Sequence, residues 1–211
     1  MYKKTHYALA VLAAWLIASG VASAAPTIVD PDAFMDGADI SNAFAGVTLT
    51  TVFANNATAT PTGTGAVFAV ADVNASTGML AFGQSPTNSS WGNGVFEYLR
   101  VDFASIVSSV SLDFFANDTS DSNPQLLGFD SGDNQVDVDS FLGAVPIGFP
   151  LTLTVTGNIS YVFAYWDEIN RNENGGLDNL QYVSSVPEPG TLALLGMGLA
   201  GMGLGRRRKR V

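Results

Sequence analysis

The stretch YLRVDF, Tyr98 to Phe103, decides the fold: Leu99, Val101 and Phe103 alternate with Arg100 and Asp102. A strand turns successive side chains to opposite faces, so this spacing belongs to a half-buried strand. VSLDF follows, with Val110, Leu112 and Phe114 alternating against Ser111 and Asp113. The same period recurs in GVTLTTVF, where Val47, Leu49, Thr51 and Phe53 share a face, and in LTLTV, through Leu151, Leu153 and Val155. ISYVFAYW, Ile159 to Trp166, has aromatics on both faces, and GLDNLQYV closes the series with Leu177, Leu180 and Tyr182 or Val183.

Shorter apolar runs lie at Ala66–Val70, Met79–Phe82, Leu126–Phe129 and Val136–Phe141. About ten short strands result, joined by Gly-, Asn-, Asp-, Ser- and Pro-rich turns. No ten-residue amphipathic helix stands out, and Ala33–Ala45 has room for a single helical turn. The expected fold class is all-β: an antiparallel β-sandwich of jelly-roll type. GFDSGDNQVDV reads as a hairpin with Ser131 to Asn134 at its tip. Asn55–Gly65 and Ser85–Gly94 read as exposed loops.

Composition closes off several chemistries. The chain of 211 residues has no Cys. Disulfides, thiolate metal sites and a Cys nucleophile are therefore excluded. Its one His is His6, inside a leader, so the body offers no imidazole for a Ser-His-Asp triad or a His-based zinc site. The expected body is not an enzyme. The overall charge of −10 is uneven. From Ala25 to Pro187 there are 18 acids against two bases, a net of −16. So acidic a body repels nucleic acid and anionic membranes, and its charge suits a soluble exported domain.

The two ends read as targeting segments. Lys3 and Lys4 precede an apolar run from Ala8 to Ile17, then small residues at Ala22 and Ala24. This is a signal peptide spanning residues 1–24, handled by the secretion machinery and cut by signal peptidase after Ala24. Residues 25–185 are the expected ectodomain, and 186–211 a C-terminal signal. There, Thr191–Gly205 forms an apolar run of 15 residues with five glycines after Gly190. As a helix it would reach about 22 Å, short of the ~30 Å of a bilayer core. It is a marginal single transmembrane helix. The cluster Arg206, Arg207, Arg208, Lys209 and Arg210 keeps the C-terminus cytoplasmic and the body across the inner membrane.

Pro187-Glu188-Pro189, the short Gly-rich helix and the terminal basic cluster together resemble the PEP-CTERM sorting signal of Gram-negative bacteria. The resemblance implies exosortase as partner, a transient inner-membrane intermediate, and release to the cell envelope or the extracellular polysaccharide of a biofilm matrix. Pro187, Glu188 and Pro189 are then recognition residues. Prolines on both sides of Glu188 disfavour helix and hold an extended stretch for a protease subsite. The body also resembles ectodomains attached to this signal, through Gly46-Val47-Thr48-Leu49 near its start and Asp178-Asn179-Leu180 near its end. Many of those look like carbohydrate-binding jelly rolls.

Four candidate sites follow. Asp30, Asp32, Asp36 and Asp39 precede the first long strand, and Asp178 lies on the last. If first and last strands are neighbours, these oxygens converge on a structural calcium, a cation that takes six to eight oxygen ligands. The alternative is that they are solvated loop acids. Asp137 and Asp139 share a strand face in the hairpin and offer a second cation position or simply a polar face. Asp167 and Glu168 are the carboxylate pair a glycosidase would require, but neighbours on a strand point apart. Finally, Trp91, Tyr98, Tyr161, Tyr165 and Trp166 are candidates for stacking on glycan rings, Trp91 first because its Ser/Asn/Gly loop reads as exposed. The expected function is that of an envelope or matrix protein with a structural or adhesive role. A lectin-like module, with or without calcium, is the alternative, and a glycoside hydrolase comes third.

Overall fold

The computed structural model describes residues 24–55, 60–91, 96–118, 123–166 and 175–185. Residues 1–23 of the expected signal peptide, the Pro-Glu-Pro segment with its apolar run and basic tail, and Asp167–Glu168 lie outside the described residues. Residues 25–185 form one compact unit. Its strands are β1 (Thr27–Val29), β2 (Ala38–Asp39), β3 (Val47–Asn55), β4 (Thr60–Gly65), β5 (Phe68–Ala71) and β6 (Leu80–Gly83). They continue with β7 (Phe96–Phe115), β8 (Pro124–Phe129), β9 (Gln135–Ser140), β10 (Leu151–Trp166) and β11 (Gly176–Ser184). Every pairing is antiparallel. The one helical element among the described residues is a 3-10 turn, Pro31–Ala33, capped by the Asp30 carboxylate on the Asp32 N–H.

Two long strands organise the sheet. β7 and β10 run side by side from Leu151↔Phe114 to Ala164↔Leu99. Early in its length β7 pairs β3, and later it pairs β11. β10 takes β8 on its other side only from Tyr161 to Trp166. One half therefore reads β4-β3-β7-β10-β8-β9, and the other β10-β7-β11-β6-β5-β2. The β10 register slips between Thr156 and Tyr161, where Gly157 has φ +134°. An irregularity of this kind bends a strand and increases its twist, and only Gly adopts that φ readily. The ribbon thus passes from one half to the other at the slip.

Inward-facing residues of both halves share one core. Leu49, Leu99, Val101, Leu126, Val162 and Ala164 come from the first half, and Phe82, Val110, Leu112, Leu177 and Leu180 from the second. Trp91, Trp166, Phe82, Phe114 and Phe115 are fully buried, and Phe114 meets Trp166 edge-on at 5.7 Å. Each such side chain contributes roughly 1.5–3 kcal/mol by leaving water. The expected antiparallel sandwich is what the chain forms.

Two loop expectations are corrected. Part of Asn55–Gly65 is strand β4, paired to β3, with Val52 opposite Thr64. Thr and Gly masked its period, and pairing on an edge supplied what propensity did not. Ser85–Gly94 was expected exposed, yet Trp91 is fully buried.

β9 protects an edge. Residues 151–156 of β10 pair β7 on one side and leave N–H groups on the other. The Asp139 carboxylate accepts from the Thr154 N–H (2.8 Å), and Asp137 accepts from the Thr156 N–H (2.7 Å) and hydroxyl (3.2 Å). The shared face of Asp137 and Asp139 is thereby used to cap backbone donors, blocking strand addition there.

Candidate functional site: an aromatic sheet face

β1 pairs β11, with Thr27 opposite Tyr182 and Val29 opposite Leu180, so the first and last strands are neighbours as expected. The carboxylates nonetheless do not converge. Asp32 accepts from the Met79 and Leu80 N–H groups, both at 2.8 Å. Asp36 accepts from the Ala71 N–H, and Asp39 from the Ser41 N–H and hydroxyl. The Ser41 contacts hold the Asp39 carboxyl below its ordinary range. Among the described residues no three acidic or imidazole groups sit together so as to hold a metal ion. Asp30, Asp32, Asp36, Asp39 and Asp178 are bound one by one to the chain, each replacing a missing backbone partner.

Asp178 has a different environment. It is fully buried beside Asp113, itself 6% exposed. One Asp178 oxygen accepts from the Thr77 N–H (2.8 Å) and hydroxyl (3.0 Å), and the other from the Asn179 N–H (2.7 Å). Asp113 accepts from the Thr152 hydroxyl and the Asn179 side-chain amide. The Ser76 hydroxyl lies 2.9 Å from Asp113 and 3.0 Å from Asp178, and its single proton serves one of them at a time. Burial pushes the Asp178 carboxyl up, against the lowering by its donors. Asn179 sits at φ +49° in the β11 irregularity, a conformation Asn tolerates better than most residues. The Asp-Asn-Leu signature is therefore a bulge that pins the Asp72–Met79 loop across β7 and β11.

Trp91 is spoken for as well. Its indole N–H donates to the Phe82 carbonyl at 2.8 Å, and its backbone N–H donates to Gly175 at 2.9 Å. Its ring plugs the core and presents no face to a ligand, which corrects the expectation of an exposed stacking platform. Trp166 is 1% exposed and likewise core.

The remaining aromatic candidates come together. Tyr98 on β7 and Tyr161 and Tyr165 on β10 all point to the face opposite the core, because Leu99, Val101, Val162 and Ala164 between them are buried. The register arranges this face in rows. Phe129, Tyr161, Asp102 and Thr48 form one row, and Leu127, Phe163, Arg100 and Thr50 the next. Gln125 pairs Tyr165 and Val52 pairs both Tyr98 and Thr64, the Tyr98 and Tyr165 rings meeting edge-on at 4.6 Å and the Tyr165 hydroxyl donating to Gln125.

Arg100 is held at the centre. Its guanidinium lies 4.1 Å above the Tyr161 ring and 5.5 Å from Phe163. Tyr161 in turn stacks on Phe129 at 5.0 Å with planes 3° apart, and its hydroxyl donates to Asp133 at 3.0 Å. Desolvation, then that bond to Asp133, pushes the phenol up from its ordinary range. Arg100 donates through Nε and Nη2 to Asp102 at 2.7–3.0 Å, which raises the guanidinium further above neutrality. The pair is 32% and 38% exposed, so it combines a fixed geometry with access to solvent. Arg100, Asp102, Phe163, Thr50 and Thr64 were missed in the sequence. Their signal was the outward set of two alternating triplets, Tyr98-x-Arg100-x-Asp102 and Tyr161-x-Phe163-x-Tyr165.

Residues 185–209 match the PEP-CTERM protein-sorting motif. No curated protein matches the chain. Among solved structures, the K2 cleaved adhesin domain of Lys-gingipain is similar at TM-score 0.46 and 14% identity, over 75% of this chain and 99% of that one. A family 29 carbohydrate-binding module gives TM-score 0.32 and 13% identity over 68% and 95%. The lectin-binding domain of lectinolysin, complexed with Lewis b, gives 0.31 and 12% over 47% and 70%. Among the described residues no helix is long and apolar enough to cross a membrane. The chain thus joins an antiparallel β-sandwich to a C-terminal segment bearing the PEP-CTERM protein-sorting motif.

Proposed function

We propose that this protein is an exported, non-enzymatic β-sandwich that exosortase processes at its C-terminal motif, and that it serves structurally or adhesively in the cell envelope or extracellular polysaccharide. The observation that carries the reading is the sorting motif at residues 185–209. In this reading a signal peptide directs export, signal peptidase cuts after Ala24, and the C-terminal segment holds the chain at the inner membrane until Pro187-Glu188-Pro189 is recognised. The folded body supports it in one respect: its last described residue, Ser185, is fastened to Ile106 through both its N–H and its hydroxyl. The last strand therefore ends three residues before Pro187, with Ser185 still fastened to the body, and cutting beyond Ser185 would release the body intact. Replacing Pro187, Glu188 and Pro189 together by Ala tests this in the native host. The variant is expected to accumulate in the membrane fraction with its C-terminus intact, whereas unchanged release would overturn the reading.

A second reading, a carbohydrate-binding module, is favoured by the outward aromatic face with its fixed Arg100–Asp102 pair. It is compatible with the sorting reading.

A further inference from the structure

We propose that the groove between Thr64 on β4 and Phe163 on β10 binds a neutral saccharide, one sugar ring lying on Phe163 and adjacent hydroxyls meeting Arg100 and Asp102. The inference rests on the carbohydrate-binding reading and adds a site and a ligand class to it.

The groove is lined by Thr50, Val52, Thr64, Arg100, Asp102 and Phe163. Its volume of about 510 Å³ falls within the ~300–1,000 Å³ of ligand sites. Four features of the lining select the ligand. First, Phe163 is half-buried and braced edge-on by Tyr98 at 6.1 Å, Phe129 at 5.7 Å and Tyr161 at 5.6 Å. An aromatic face carries negative potential, and the C–H bonds on one face of a pyranose present weakly positive hydrogens to it.

Second, Arg100 and Asp102 leave unused valences side by side. Nε and one Nη2 hydrogen are taken, which leaves Nη1 as a donor. Asp102 accepts at both oxygens and retains lone pairs. A donor beside an acceptor matches two neighbouring hydroxyls, each able to donate and accept. Third, Thr50 and Thr64 line the same groove and bring two hydroxyl-bearing side chains to it. Fourth, charge excludes other ligand classes. Arg100 is already neutralised by Asp102 within a body carrying a net −16, so phosphate or carboxylate ligands gain little and meet a repelling field. A lipid or an apolar helix would bury this ion pair against hydrocarbon and lose the hydration of both charges.

The site is also preorganised. Phe129 stacks on Tyr161, the Arg100 guanidinium lies 4.1 Å over the Tyr161 ring, and the Tyr161–Asp133 bond anchors the group. Little side-chain freedom remains to be lost on binding.

The test uses the full chain in detergent micelles and isothermal titration with neutral gluco-, manno- and galacto-hexasaccharides, with a hexauronate for comparison. At least one neutral hexasaccharide is expected to bind more tightly than the hexauronate. Phe163→Ala and Asp102→Ala are each expected to weaken it at least tenfold. Thr64→Lys, an exposed rim substitution on an edge strand that leaves the core untouched, is expected to do the same by occupying the groove. Binding that survives all three variants would overturn the site while leaving the carbohydrate reading intact. No binding to any neutral saccharide at millimolar concentration would overturn both, and tighter binding of the hexauronate would overturn the ligand class.

Discussion

Trp91 and Phe163 make opposite use of an aromatic ring. Trp91 sits in a polar stretch that looks exposed, yet the ring is sealed into the core and its N–H is spent on Phe82. Phe163 lies inside an apolar strand that looks buried, yet it faces outward beside an ion pair. Local polarity misleads in both cases. What decides exposure is the parity of the residue along its strand and the strands paired beside it. The same division separates the acids: Asp113 and Asp178 are consumed by the fold, while Asp102 is fixed but open to solvent.

The contrast can be broken by mutation, and the inner region should respond first. Trp91→Ala is expected to lower unfolding stability by about 3–5 kcal/mol, read by urea titration, because it opens a cavity and orphans the Phe82 carbonyl. A loss below about 1 kcal/mol would return Trp91 to the surface. Asp178→Ala should cost about 3 kcal/mol, since it strands the Thr77 and Asn179 donors in a dry site.

Asp178 also makes a pH prediction. Its folded pKa is raised by burial, so its favourable contribution is present below the unfolded value of about 3.9 and is lost as pH rises through the folded value. Asp39 and Asp137 are lowered by their hydrogen bonds, so theirs is present above that value and lost as pH falls. Wild type should therefore lose stability relative to Asp178→Asn as pH rises from about 4. A difference independent of pH would contradict the buried ionisation.

Removing the edge caps should have a smaller effect. Asp137→Ala is expected to cost about 1 kcal/mol by freeing the Thr156 N–H, and Asp139→Ala a similar amount, with increased self-association read by light scattering. Phe163→Ala should have a similarly small effect on folding, about 1 kcal/mol for a half-buried ring, while weakening saccharide binding at least tenfold. A Phe163 loss as large as that of Trp91 would erase the contrast.

Much of the fold was legible because alternation is a local property. Leu99, Val101, Leu112, Phe114, Leu153 and Val155 all face inward as their spacing requires. The hairpin at Ser131–Asn134 was equally readable, since Asp130 gathers the Gly132 and Asn134 N–H groups within the turn itself. β4 was not legible, because its Thr and Gly residues acquire strand structure only beside β3. The acids before β3 were misjudged for a related reason. Their number suggested a shared cation, but each was matched to a distant N–H, as Asp32 is to Met79 and Leu80. Gly78, at φ +50°, lets that approach happen, since a Cβ there would collide with the Asp32 carboxylate. The outward face depended on register: only the pairing of Phe163 with Arg100 and of Tyr161 with Asp102 turns two triplets into one site.

The sorting signal was legible for the opposite reason. Pro187-Glu188-Pro189, a short apolar run and a basic end stand in a fixed linear order, which the sequence displays without any knowledge of strand pairing. Intact-mass and peptide mass spectrometry of the mature protein from its native host tests the central claim most directly. The account predicts a chain that begins at Ala25 and ends at or near Pro187–Pro189, without the basic tail. A mature pool that retains Arg206 to Val211 would contradict it.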